Sequence, residues 1–501
     1  MSGTLVLVID CGSTNIRAIA IDPYGKIIAQ ANRPNQSYPQ TNGKPGWLIW
    51  NLEEIWQKIS EASREVTYTT GPENIGAVIV TTWGSDGAPV KRDGTPTYPP
   101  ISWQCPRTRK IAKNIVKEIS AWRIFQITGY QVISFNTLLK MIWLRRNAPE
   151  ALNEAYTWLM MPGLIVHRLT GQFHIDPTSA STMMAMNLKM RDWADSLLEL
   201  ANLDSSFFPE WYEPCQIVGH VTEEAEKKCG IPSETPVVVG GHDTQFAMLG
   251  SGAKPDDAIL SSGTWEILSV RIGSFKPNQI GFEEGLIIEA DVQPNLWNPQ
   301  LLMIGSAVLE WVRELFFPEL KGQDYDAMIK EAEKTPPGAG DVTFIPSLFR
   351  ESGPARKYGA LGTILGLTLQ TSRDHIYRAA LEGLSFQLRE ALRILTEAAG
   401  FHVSGIRAVG GGSKNALWNR IRADVTGLPI VVPAQKEATA LGAAITAFVG
   451  IGRYGSIAEA ERHLFSEGER LEPGVDRVFY KEVSKRYGKA LLNLKDFYNE
   501  E

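Results

Sequence analysis

Apolar positions along this chain fall into short unbroken runs punctuated by turn residues, interleaved with longer stretches of helical spacing. Residues 5–9 form a continuous apolar run that stops at Asp10 and a small-residue turn, Cys11-Gly12-Ser13-Thr14-Asn15. A second β-branched run follows, then Asp22-Pro23-Tyr24-Gly25 and a third run. Short apolar runs bounded by turn residues predict buried strands, so the start reads as strand, tight turn, strand, turn, strand. A weaker echo comes at 256–275, where Ser261-Ser262-Gly263-Thr264 again separates two apolar runs. One such hairpin near the start of each half predicts two related lobes.

Between the hairpins, residues 76–80 and 236–240 read as strands, and residues 52–63 and 138–145 as amphipathic helices. The alternation predicts an α/β protein. The polar segment Gly252-Ala253-Lys254-Pro255-Asp256-Asp257 ends an apolar region and places a lobe boundary there, giving 1–253 and 254–501. A length of 501 residues supports that division, because it exceeds what one hydrophobic core accommodates.

Charge narrows the partners. A net charge of -6 gives no electrostatic reason to expect nucleic acid or an anionic membrane surface, and a small neutral or mildly anionic ligand fits better. The four cysteines lack paired metal spacing and are too few for a disulfide framework, so they read as reduced thiols of a cytoplasmic protein. The run at 5–9 is too short to span a bilayer and lacks a basic leader.

The turns carry the candidate chemistry. Asp10 ends the first strand and can hold Mg²⁺, through water, beside a turn whose backbone N–H groups and Ser13, Thr14 and Asn15 side chains can approach a polyphosphate. Such a turn also occurs as a plain hairpin. Ser261-Ser262-Gly263-Thr264 offers the same chemistry from the other half, with Gly263 and Thr264 at its tip, or reads alone as a simple β-turn. Further on, Gly410-Gly411-Gly412-Ser413-Lys414-Asn415 joins a strand to a helix. Gly411 and Gly412 let backbone lie against a flat base or ribose, and Asn415 can hydrogen-bond at the helix start. A flexible strand-to-helix turn is the competing reading; a dinucleotide fingerprint is excluded because G-x-G-x-x-G spacing is missing.

In Val239-Gly240-Gly241-His242-Asp243-Thr244-Gln245 an apolar strand ends in glycines and a hydrogen-bonding cluster. Asp243 is the candidate base, with a helix N-cap as the alternative. Trp83-Gly84-Ser85-Asp86 and Ser102-Trp103-Gln104-Cys105-Pro106-Arg107 combine polar groups with the flat apolar surface that sugar rings require. His167, His174 and His220 show no partner pattern and read as structural or surface residues.

With these residues in place, the chain resembles the FGGY carbohydrate kinases over almost its whole length. One family signature is recognisable in Phe135-Asn136-Thr137-Leu138-Leu139-Lys140-Met141-Ile142-Trp143-Leu144. A second runs from Gly362 through Gly366 and His375-Ile376 to Ala379-Ala380-Leu381-Glu382. The resemblance implies two ribonuclease-H-like, actin-like ATPase lobes with ATP and Mg²⁺ in the cleft, Asp10 near the metal and Asp243 as base. It further implies a sugar pocket containing Gly84, Asp86, His242 and Gln245. The W-G-x-D stretch is similar to that of kinases for 6-deoxy-ketohexoses, L-fuculose first and L-rhamnulose second, phosphorylated at O1. Xylulose kinases carry Gln-Met-His-Gly there, and Gly84-Ser85 replaces the Arg-Glu pair of glycerol kinases. The expected partners are a small-molecule sugar and ATP, with homo-oligomerisation left open. The rival reading is an actin-like ATPase acting on a protein partner, which accounts for the phosphate turns but not for the two signatures.

Overall fold

The computed structural model describes residues 4–320, 325–349, 353–354 and 359–498. The expected opening hairpins are present: β1 (Leu5–Cys11), β2 (Asn15–Ile21) and β3 (Ile27–Pro34) pair antiparallel in sequence. They extend through β4 (Ile75–Thr82), β5 (Ile217–His220) and β6 (Pro236–His242) into a six-stranded sheet ordered β5-β6-β4-β1-β2-β3. β4 runs parallel to β1, and β6 parallel to β4. Every residue of β1 is buried, as a continuous apolar run in mid-sheet requires.

The second half repeats this plan. β7 (Asp257–Ser262), β8 (Trp265–Ser269), β9 (Ile287–Ala290), β10 (Trp297–Ile304), β11 (Gly405–Val409), β12 (Ile430–Val432) and β13 (Glu469–Leu471) form a sheet ordered β9-β10-β8-β7-β11-β12-β13. The cores β3-β2-β1-β4-β6 and β10-β8-β7-β11-β12 share one order and one set of strand directions. This is the doubling expected from the two hairpins, and it gives the two ribonuclease-H-like lobes that the family resemblance implies. In each sheet the carboxyl ends of parallel strands open together, where α/β folds bind ligands.

Helix α1 (Leu52–Thr70) is the amphipathic helix expected near 52–63. Asn51 caps it by accepting from Glu54 N, and Ile55, Ile59, Ala62 and Val66 face β2 and β3. Helix α2 (Thr137–Asn147) departs from expectation. All residues from Thr137 to Leu144 are buried, so it is a core helix rather than an amphipathic one, and its lysine must find a partner inside.

Two features tie the halves together. Helix α3 (Asp243–Gly250) meets helix α4 (Ala438–Gly450) backbone to backbone: a Cβ added at Gly250 or Gly442 would collide with the other helix's main chain. Although α4 comes late in the chain, it packs on the first sheet, where Leu441, Ala444 and Phe448 join Val6, Val8, Ile19 and Ile79 in one core. Conversely, the long insertion between β4 and β5 reaches the second sheet. Ile288 N donates to Gly129 O at 2.8 Å, and Trp297 Nε1 to Leu188 O at 3.1 Å. Among the described residues no helix is long and apolar enough to cross a membrane, and all four cysteines are free.

Candidate active site

The sharp turn after β1 closes through Gly12 N donating to Asn15 O at 2.8 Å, and Asn35 braces it by donating to Gly12 O at 2.9 Å. The turn leaves Thr14 and Asn15 exposed and Ser13 half-buried. It borders a polar cavity of about 310 Å³ lined by Asp10, Gly12, Thr14, Asn15, Arg17, Asn32, Asp243 and Thr439. Two carboxylates from opposite ends of the first lobe therefore face one space. Asp10 is 3 % exposed and accepts from Arg17 Nη2 at 2.6 Å and Thr81 Oγ1 at 3.3 Å. Burial pushes its carboxyl above the ordinary range, and Arg17 draws it part of the way back. Arg17 also bonds Glu437, at the N-terminus of α4.

Asp243 is the first residue of α3, and no side-chain cap closes that helix end, so the capping alternative is not what the fold uses. Its side chain keeps 28 % exposure. Burial raises its carboxyl to about 6, with His242 opposing and Asp10 reinforcing the shift. An acid titrating there is ionised at neutral pH yet basic enough to receive a proton.

The sugar-pocket candidates divide into two groups. Gly84 and His242 come together: a Cβ at Gly84 would lie 2.8 Å from Thr182 Cγ2 and 3.1 Å from His242 Nε2. Gln245 joins them through Glu289, which accepts from its Nε2 at 2.5 Å and lies 3.1 Å from His242 Nδ1. Asn298 completes the Gln245 amide. Asp86 lies underneath, fully buried. One of its oxygens accepts from Trp50 Nε1 at 2.6 Å, Trp83 Nε1 at 2.8 Å and Trp103 N at 3.0 Å, while Lys140 holds the other. A charged hub thus fixes three tryptophan-bearing segments, and its own oxygens are all engaged. Lys140 also donates to Ser85 O at 2.7 Å.

In the second lobe the predicted turns pack on each other. Ser306 N and Oγ reach Gly263 O at 2.9 and 2.8 Å, and Gly305 N reaches Thr264 O at 3.1 Å. Gly410 has φ +87°, and a Cβ there would stand 2.6 Å from Ser262 O; one at Gly412 would strike Ser262 Oγ. Gly411 faces open space. Asn415 caps the next helix, Ala416–Thr426, through Trp418 N at 3.0 Å, and donates to Tyr377 Oη at 3.3 Å. Beneath both turns, Arg422 pairs with Glu266, bonds Ser262 Oγ at 2.7 Å and stacks 3.5 Å over Trp418. A small apolar contact of Ala247, Val409 and Ala438 joins this region to the helix carrying Asp243.

Sequence reasoning missed Arg17, Lys140, Glu266, Glu289, Arg422 and Glu437. Lys140 stood inside a recognised signature and Arg17 two residues past the first turn, so both could have been flagged. Glu289 sits on an ordinary-looking strand, and only tertiary pairing reveals it. Burial pulls His174 down to about 4, leaving it neutral, in keeping with a structural role.

Comparison with known proteins bears on the family and the fold. The N-terminal domain of the FGGY family of carbohydrate kinases matches residues 5–250, and its C-terminal domain matches residues 258–451. L-fuculokinase of Escherichia coli strain K12 is 38% identical over 483 residues, covering 96% of this chain and 100% of that protein. Autoinducer-2 kinase of Escherichia coli strain SMS-3-5 is 28% identical, covering 93% and 88%. The crystal structure of xylulose kinase from Rhodospirillum rubrum superposes with a TM-score of 0.87 at 23% identity, covering 99% of this chain and 100% of that one.

Proposed function

Because this chain belongs to the FGGY family of carbohydrate kinases, we propose that it transfers the γ-phosphoryl group of ATP to O1 of a 6-deoxy-ketohexose, with L-fuculose as substrate. The observation that carries the sugar assignment is the 38% identity to an L-fuculokinase across the full length, against 28% to an autoinducer-2 kinase. Carbohydrate kinase activity accounts for the two family signatures and the polar cluster around Asp243 as a protein-partner ATPase does not. We place the lobe division at 253/254, and the free thiols support a cytoplasmic location.

In this reading the sugar hydroxyl attacks the γ-phosphorus, the bond to the β-phosphate oxygen breaks to release ADP, and the hydroxyl proton passes to Asp243. Phosphoryl transfer through a loose transition state asks for positioning and charge neutralisation more than covalent help. Ser13, Thr14 and Asn15 flank the polyphosphate from one lobe and Gly263 and Thr264 from the other. The open face of Gly411, with Gly412 and Asn415 behind it, takes the adenosine. Arg17, already at the cavity, is placed to meet phosphate oxygens.

Mg²⁺ fits the donors present. Asp10 lines the same polar cavity, and Mg²⁺ binds through one or two carboxylates plus phosphates while retaining waters. Asp10 would hold it through water, and the ion would neutralise charge on the β- and γ-phosphates. Gly84 and His242 border the acceptor pocket with the fully buried Gln245 behind them, whereas Asp86 acts from below by fixing Trp50, Trp83 and the Trp103 backbone.

The test is sugar-dependent ADP release across L-fuculose, L-rhamnulose, xylulose, pentitols and glycerol. L-fuculose should give the highest kcat/KM. A higher value for any other sugar would overturn the assignment, and release independent of all sugars would favour the protein-partner ATPase.

A further inference from the structure

Building on that kinase reading, we propose that Glu289 assembles the acceptor side of the site, reaching from the second sheet to fix His242 and Gln245 beside the base. Glu289 lies on β9 and is 1 % exposed. A carboxylate so placed is costly unless every oxygen is paired, so its partners reveal what it is for. Oε1 accepts from Tyr130 Oη at 3.0 Å. Oε2 meets Gln245 Nε2 at 2.5 Å and His242 Nδ1 at 3.1 Å. All three partners come from the first half of the chain, and two of them are acceptor-pocket residues.

The imidazole is fixed from both sides. The His242 backbone N donates to Thr178 Oγ1 at 2.9 Å, Nδ1 faces Glu289, and Nε2 packs beside Gly84 with Asp243 Oδ1 3.6 Å away. The charged groups facing this ring are Glu289, Asp243 and Asp176, all acidic. They outweigh the burial that alone would lower its pKa and raise it to about 9, so the ring presents a proton-bearing Nε2 to the pocket. Gln245 is held likewise, its carbonyl oxygen taking Asn298 from β10. Second-sheet side chains therefore set the orientation of both first-lobe residues, and the acceptor pocket is incomplete within the first lobe alone.

Merely gluing the lobes is the competing role, and the fold separates the two. The strand bearing Glu289 is anchored independently by the backbone bond from Ile288 N to Gly129 O at 2.8 Å, and by Gln131 Nε2 donating to Leu286 O at 3.0 Å. Loss of the Glu289 charge should leave these in place while releasing the two acceptor-side residues.

Glu289→Gln tests this, because it removes the charge that faces the His242 ring while keeping the side chain's size. Weakening of sugar binding by about tenfold or more is expected, with ATP affinity in the absence of sugar within about twofold of the parent. Glu289→Asp, which keeps the charge, should recover part of the loss. Tyr130→Phe, which frees Oε1, should weaken sugar binding about threefold, and it decides the matter if Glu289→Gln does not fold. Sugar affinity within twofold of the parent in both Glu289→Gln and Tyr130→Phe would overturn the proposal. Should the parent bind no sugar, the kinase reading fails instead. Nitrogen NMR of the His242 ring then judges Glu289 separately: a ring that stays protonated at pH 8 in Glu289→Gln would contradict it.

Discussion

His242 Nε2 stands 3.6 Å from Asp243 Oδ1, so the proposed base enters the cleft with a cation at its side. Burial raises Asp243 to about 6; on His242 the effect of burial is outweighed by Glu289 and Asp243, which raise it to about 9. The rate should therefore climb through about pH 6 as Asp243 ionises and fall above about pH 9 as His242 loses its proton. His242→Asn should erase the alkaline limb and move the acid one upward, because the cation that opposes the Asp243 shift is gone. A parent profile that is flat from pH 5 to about 10 would contradict these assignments.

Asp243→Asn keeps the hydrogen-bonding shape and removes the proton acceptor. A fall in kcat of about 100-fold or more, with little change in KM, is the expected kinetic outcome. The same variant carries a stability signature. The folded carboxyl titrates near 6 against an ordinary 3.8, so between those values the folded state binds the extra proton and stability drops as pH rises. Removing the acid lifts that penalty, and urea titration should find Asp243→Asn more stable than the parent at pH 8 but not below the ordinary carboxyl value. A parent-like kcat would reduce Asp243 to a helix-terminal residue.

Gly411 and Gly412 are neighbours with opposite surroundings, and substitution should separate them. Gly411→Val enters open space, so the folded protein should lose ATP affinity and retain sugar binding. Gly412→Val would strike Ser262 and crowd Trp418, disturbing the packed turns and lowering thermal stability. Undiminished ATP affinity in Gly411→Val would move the nucleotide elsewhere.

Lys140 and Asp86 form an ion pair in which the lysine is 1 % and the aspartate 0 % exposed. Lys140→Met leaves an unpaired buried carboxylate under the tryptophan cluster and should cost about 3–5 kcal/mol. Adding Asp86→Asn should return part of that loss, because the stranded charge is gone while the amide oxygen can still accept from the two indoles and the Trp103 backbone. Additive losses in denaturant titrations of the single and double variants would show that the pair is not coupled.

Local pattern carried the fold further than it carried the site. Residues 5–9 and the turn at Gly12 announced β1 and its hairpin because a strand buried on both faces must be apolar throughout. The duplicate at Ser261 to Thr264 followed from the same rule. Helix α2 was misjudged, since an all-round buried helix leaves no polar face to reveal its period, and Lys140 imitated one. Asp10 and Asp243 could be singled out because one lies at the end of an apolar strand and the other directly after one. Glu289 was not: its meaning lies in Tyr130, His242 and Gln245, which only folding brings to it. Asp86 was expected in the sugar pocket, yet its residue type could not disclose that three N–H groups and Lys140 would consume its oxygens.

Phosphorus NMR of the product formed from ATP and L-fuculose tests the central claim most directly. Loss of the γ-phosphate resonance should be matched by a sugar phosphomonoester whose phosphorus couples to the C1 protons, and Asp243→Asn should suppress it. Appearance of inorganic phosphate alone, at a rate indifferent to the sugar, would contradict the account.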